Sequence, residues 1–67
     1  MKITKSDFFN NLDKINLLDY KIDYKRNQNY FFYKGYKYVF ETIITNNQIL
    51  NNGMYKGIEE NFYKFKL

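Results

Sequence analysis

General acid and base chemistry at neutral pH draws most often on histidine, and covalent catalysis often draws on cysteine; the chain contains neither. What remains are carboxylates beside lysines. Asp23-Tyr24-Lys25 has the local look of a metal-nuclease site, but such a site needs acids from several elements converging on one ion. As a strand, this tripeptide sends Asp23 and Lys25 to one face, where alternating charges are ordinarily solvated. Gly53, Lys56 and Gly57 match no phosphate-loop fingerprint, and Glu59-Glu60 in the next turn would repel an anion. The asparagine-rich turns lack the carboxylates of a calcium loop. The expectation is a protein that is not an enzyme, with no cofactor and no metal.

The strongest signal is of another kind. Residues 20–40 carry nine aromatic side chains, together with Lys21, Lys25, Arg26, Lys34 and Lys37 against the single acid Asp23. This window holds the whole net charge of +4, because three lysines balance three acids on either side of it. Cations attract phosphate or carboxylate while rings offer stacking area, so the window reads as a surface for something flat or anionic.

Sixty-seven residues make one small domain spanning 1–67, at a size where only about 60% of the unfolded surface is buried on folding. With no disulfide or histidine metal site to reinforce it, aromatic mass must substitute. Each buried ring removes roughly 150–250 Å² from water, and a homodimer interface could complete the core. Asn, Lys, Ile, Tyr and Phe make up 42 of the residues while Ala, Pro, Trp, Cys and His are absent, a bias toward A- and T-rich codons that suggests a low-GC bacterium or one of its phages or plasmids. The start, Met1-Lys2-Ile3-Thr4-Lys5-Ser6-Asp7, lacks a signal-peptide core, and the longest apolar run is Tyr30-Phe31-Phe32-Tyr33, so the expectation is a cytoplasmic protein without a membrane span.

Thr4 and Asp7 have capping-box spacing, Ile3 and Phe8 staple spacing, and Phe8, Leu12, Ile15 and Leu18 share a helical face beside Phe9, predicting a helix over about Lys5 to Leu18. From Asp19 the period becomes two: Tyr20, Ile22 and Tyr24 alternate with charged residues as in a strand. Arg26-Asn27-Gln28-Asn29 reads as a loop. Tyr30–Tyr33 and Tyr36–Thr45 read as strands joined by a two-residue turn at Lys34-Gly35. That turn sets Tyr33 opposite Tyr36, Phe31 opposite Tyr38 and Asn29 opposite Phe40; Tyr30, Phe32, Lys37, Val39, Glu41 and Ile43 take the other face. Asn46-Asn47 and Asn51-Asn52-Gly53 are turn signals around Gln48-Ile49-Leu50, a fourth strand or the end of a loop. Ile58, Phe62 and Phe65 predict a second helix, with a terminal strand as the alternative. The expected fold class is α+β: an N-terminal helix, a three- to four-stranded antiparallel sheet and a C-terminal helix.

If both helices cover the face bearing Phe31, Tyr38 and Phe40, the opposite face presents Tyr30, Phe32 and Lys37, with Lys21 and Lys25, as a platform for stacked bases. If the second helix covers it instead, those residues are ordinary core, and a dimer through that face is a further variant. Helix, three strands, helix is also the element order of double-stranded RNA-binding domains, but Glu59-Glu60 stands where that family starts its last helix with lysines. In size, lone-domain organisation and helix-then-sheet order the chain resembles small phage-encoded anti-CRISPR inhibitors, with Asp19-Tyr20-Lys21-Ile22 resembling the lead into their first strand. The nucleic-acid mimics among those inhibitors are acidic, so a basic chain would dock on an acidic protein face or on a guide RNA. The resemblance implies a non-catalytic inhibitor or modulator of a nucleic-acid-handling host complex, a protein or ribonucleoprotein. Direct binding of RNA or DNA and a structural subunit are the alternatives. The expected contact residues are Lys21, Tyr24, Lys25, Arg26, Tyr30, Phe32, Lys34 and Lys37.

Overall fold

The computed structural model describes the backbone of residues 1–50 and 53–67 and the side chains of 1–43 and 57–67. Its elements are a helix α1 (Lys5–Leu12), a 3-10 turn (Leu17–Asp19) and strands β1 (Lys21–Asp23), β2 (Gln28–Tyr33), β3 (Tyr36–Leu50) and β4 (Gly53–Lys66). The strands form one antiparallel sheet in the order β1-β2-β3-β4. Each neighbour in sequence is thus a neighbour in space.

α1 starts where the sequence predicts, with the Thr4 side chain accepting a hydrogen bond from the Asp7 N–H at 3.1 Å. It ends six residues sooner than expected. The N–H groups of Lys14 and Ile15 bond to the carbonyls of Asn11 and Leu12, three residues back, and this tightens the last turn. Asn16 then accepts from the Leu18 N–H at 3.0 Å and caps the 3-10 turn. Short polar side chains that bond their own backbone compete with a continuing helix. Leu18 consequently leaves the predicted stripe and is 83% exposed.

Two helical turns are too few to persist alone in water. Docking on the sheet holds them. Phe8 is fully buried, with its ring centroid 5.1 Å from that of Phe31, 5.4 Å from Phe62 and 6.0 Å from Phe40. Phe31 and Tyr38, opposed on β2 and β3, stack at 4.8 Å with planes 6° apart. Ile3, Leu12, Ile15, Tyr20, Tyr33, Tyr36 and Phe40 pack around this cluster. The core therefore lies on one face of the sheet, between it and α1.

The Lys34-Gly35 turn has φ of 48° and 80°, positive at both positions as a type I′ hairpin turn demands, and the β2–β3 register follows the sequence reading pair for pair. The predicted C-terminal helix is not formed: that segment is β4, paired with β3 from Tyr36↔Lys66 to Leu50↔Gly53. Phe62 faces α1 and Phe65 the opposite side, a split that alternation permits and a helical stripe does not. The open edge of β3 offers a full row of backbone partners, which β4 takes. Gln48-Ile49-Leu50 is the end of β3, and the Asn46-Asn47 turn signal marks a bulge, where the register shifts between Asn46 and Gln48. The turn expected at Asn51-Asn52 lies outside the described residues.

β2 pairs with β3 as far as Glu41, and the Thr42 N–H still reaches the Asn27 carbonyl at 3.2 Å, so from Ile43 onward β3 and β4 run on as a two-stranded ribbon, giving the molecule an extent of 49 × 21 × 20 Å. No helix among the described residues is long and apolar enough to cross a membrane.

Candidate binding face

The strand registers define the face turned away from α1, row by row. One row reads Lys21, Tyr30, Val39, Tyr63 across β1 to β4 and continues to Lys2, which bridges to Tyr63 at the outer edge. That N-terminal addition is held by the Ile3 N–H on the Phe62 carbonyl at 2.9 Å and the Lys64 N–H on the Met1 carbonyl at 2.8 Å. The row nearer the hairpin reads Phe32, Lys37, Phe65. In the row toward the ribbon stand Asp23, Gln28, Glu41 and Asn61, and beyond it Ile43 and Glu59. Rings and lysines thus occupy two adjacent rows, and acids the next two.

No described element covers this face. Phe32 is 50% exposed and Phe65 46%, while Val39, between Tyr30 and Tyr63 in its row, is 5% exposed. Tyr30 and Phe32 meet edge to face at 5.8 Å, and the rings of Tyr63 and Phe65 lie 6.0 Å apart with planes 27° from parallel. Lys37 reaches back over Tyr30, its Nζ 4.7 Å from the ring centre. A lysine ammonium over a ring face is attracted by the ring's negative face, worth about 0.5–1 kcal/mol at an exposed site.

The hairpin end is basic on both faces. On the α1 side Lys64 Nζ lies 4.1 Å from the Tyr36 ring centre, and Lys34 and Lys14 approach Tyr33 at 5.4 and 6.0 Å. The sheet's acids, Asp23, Glu41, Glu59 and Glu60, lie on the ribbon side, where Glu60 pairs with Lys5 at 3.7 Å.

Of the residues expected at the site, Lys21, Tyr30, Phe32 and Lys37 share this face, and Lys34 sits at the hairpin turn beside it. Tyr24, Lys25 and Arg26 follow Asp23 in the β1–β2 turn, outside the two ring-and-lysine rows and, along β2, roughly 17 Å of strand from the hairpin turn. Lys25 does not share a strand face with Asp23, because β1 ends at Asp23. The Asp23 carboxylate accepts from the N–H groups of Lys25 at 3.1 Å and Arg26 at 3.3 Å, and its other oxygen is 3.9 Å from Arg26 Nε. The Asp23-Tyr24-Lys25 motif is therefore turn chemistry, an aspartate closing the chain on itself. Beside it, Ile22, Asp23, Tyr24, Asn27, Asn29 and Thr42 line a hollow of about 330 Å³.

Sequence reading missed Tyr63, Phe65 and Lys2. The alternation of Tyr63 and Phe65 around Lys64 was the available signal for the first two. Nothing in the sequence announces Lys2, whose position depends on pairing with the distant Tyr63. No group of three His, Cys, Asp or Glu able to hold a metal occurs among the described residues. No protein family, curated protein or solved structure matches the chain.

Proposed function

We propose that this is a non-catalytic binding protein that acts by occupying its partner's surface through the uncovered sheet face, as an inhibitor or modulator of a nucleic-acid-handling complex. One observation carries the reading: Phe32 and Phe65 stand about half exposed among Tyr30, Tyr63 and three lysines on a face with no described cover. Exposed rings grouped on one flat face mark interaction sites more often than they mark solvent-facing surface. The absence of histidine and cysteine supports occupation of a surface over catalysis. The basic charge of the ring-bearing rows suits a partner that is itself anionic.

The test is capture from host lysate on immobilised protein, with and without nuclease, comparing wild type with a Phe32→Ala/Phe65→Ala variant. Selective loss of captured material in a folded variant is the expected result. Identical capture by both would place the binding surface elsewhere and remove this reading.

A further inference from the structure

The rows define a ligand more narrowly than a generic partner. Adjacent same-face rows along a strand are about 6.6–6.8 Å apart, twice the residue rise. Stacked bases in a duplex are about 3.4 Å apart. Bases resting on both rows cannot remain stacked on each other, so a duplex does not fit while a splayed single strand does. From Lys21 to Lys2 the central row crosses four strand spacings, about 19 Å, with a lysine at each end and a tyrosine inboard of each.

We propose that the uncovered face binds single-stranded nucleic acid laid across the strands, with bases on Phe32, Tyr63 and Phe65 and phosphates at Lys21, Lys2 and Lys37, the last held over the Tyr30 ring; the proposal rests on the site reading given above. Asp23, Glu41 and Glu59 bound the track on the ribbon side, where a phosphate would meet a carboxylate. The bound length is about three to four nucleotides, near the small end of single-strand platforms. A second copy of the chain is the poorer occupant. The ring-and-lysine rows cover only roughly 19 by 14 Å, far below the about 800 Å² per partner of a stable interface.

The test is fluorescence anisotropy with labelled oligothymidylate and oligouridylate of about 12 nucleotides, against a duplex of equal length. With three phosphate contacts, affinity should fall about 15- to 20-fold between roughly 50 and 200 mM salt. Phe32→Ala and Phe65→Ala should each weaken binding about fivefold or more, with circular dichroism confirming the fold. Glu41→Lys extends the cationic track by one site; it should tighten binding and steepen the logarithmic salt slope by about 0.7, a gain that a structural role does not produce.

Three results would overturn the proposal: no single-strand binding at low salt, equal binding of the duplex, or a dimer in sedimentation that Phe32→Ala converts to monomer. In the first case the lysate capture separates the two readings. Capture of a nuclease-resistant protein that depends on Phe32 and Phe65 would retain the binding face and assign it to a protein ligand. Loss of both removes the face altogether.

Discussion

Lys37 Nζ lies 4.7 Å from the centre of the Tyr30 ring, although Lys37 is directly opposite Phe32 and Tyr30 directly opposite Val39. The contact is diagonal, between neighbouring strands on the uncovered face. In a double-mutant cycle of Lys37→Met and Tyr30→Leu, read by urea denaturation, we expect a coupling of about 0.5–1 kcal/mol. Additive single-mutant effects would show that the ammonium merely passes over the ring.

Phe8 is the side chain on which the fold most depends. It contacts Phe31, Phe40 and Phe62 and is fully buried, so Phe8→Ala should cost about 3–5 kcal/mol. A domain this size has little more than that in reserve, so the variant is expected to be largely unfolded by circular dichroism at room temperature. Phe32→Ala, on the open face, should shift the denaturation midpoint far less. Similar losses at both positions would mean that the open face is part of the core.

The hairpin turn offers stability in both directions. Lys34 holds a φ of 48°, a conformation asparagine adopts more readily than lysine, so Lys34→Asn should stabilise by a few tenths to about 1 kcal/mol. Gly35 has φ of 80° and open space where a Cβ would point. Gly35→Ala therefore carries only the backbone penalty, about 1–2 kcal/mol. Thermal denaturation of the two variants should bracket wild type.

Burial pushes the pKa of the Tyr20 hydroxyl above its ordinary value near 10, and a hydrogen bond with the Asn29 side chain offsets part of the rise. The folded state thus holds the Tyr20 proton more tightly than the unfolded state. Stability from this group is fully present below about pH 10 and is lost as pH rises through the raised folded value. Tyr20→Phe should flatten the alkaline limb of the stability profile while leaving its shape at neutral pH unchanged. An unaltered alkaline limb would assign that limb to other groups.

The local elements that were legible were those whose determinants lie within a few residues. Thr4 caps α1 because its partner is Asp7, and Lys34-Gly35 fixes the β2–β3 register because two positive φ angles suffice. The short helix was not legible, because Phe8, Leu12, Ile15 and Leu18 satisfy helical spacing while the chain tightens after Leu12 and Asn16 caps a separate 3-10 turn with one side-chain hydrogen bond. The tail misled for a related reason: Ile58, Phe62 and Phe65 fit a helical stripe, and only the open edge of β3 makes a strand the better use of their backbone.

Sequence alone determined the chemistry available: no histidine or cysteine, a basic and aromatic middle, an α+β order and a hairpin with its faces assigned. Tertiary structure decided which of those residues meet. It set Tyr63, Phe65 and Lys2 on the same face as Tyr30 and Lys21, and left Tyr24, Lys25 and Arg26 in the β1–β2 turn outside those rows. The physical reason is that a turn is governed by local dihedral preferences, whereas the pairing of β4 and the N-terminal residues depends on which distant backbone groups remain unpaired once the rest has folded.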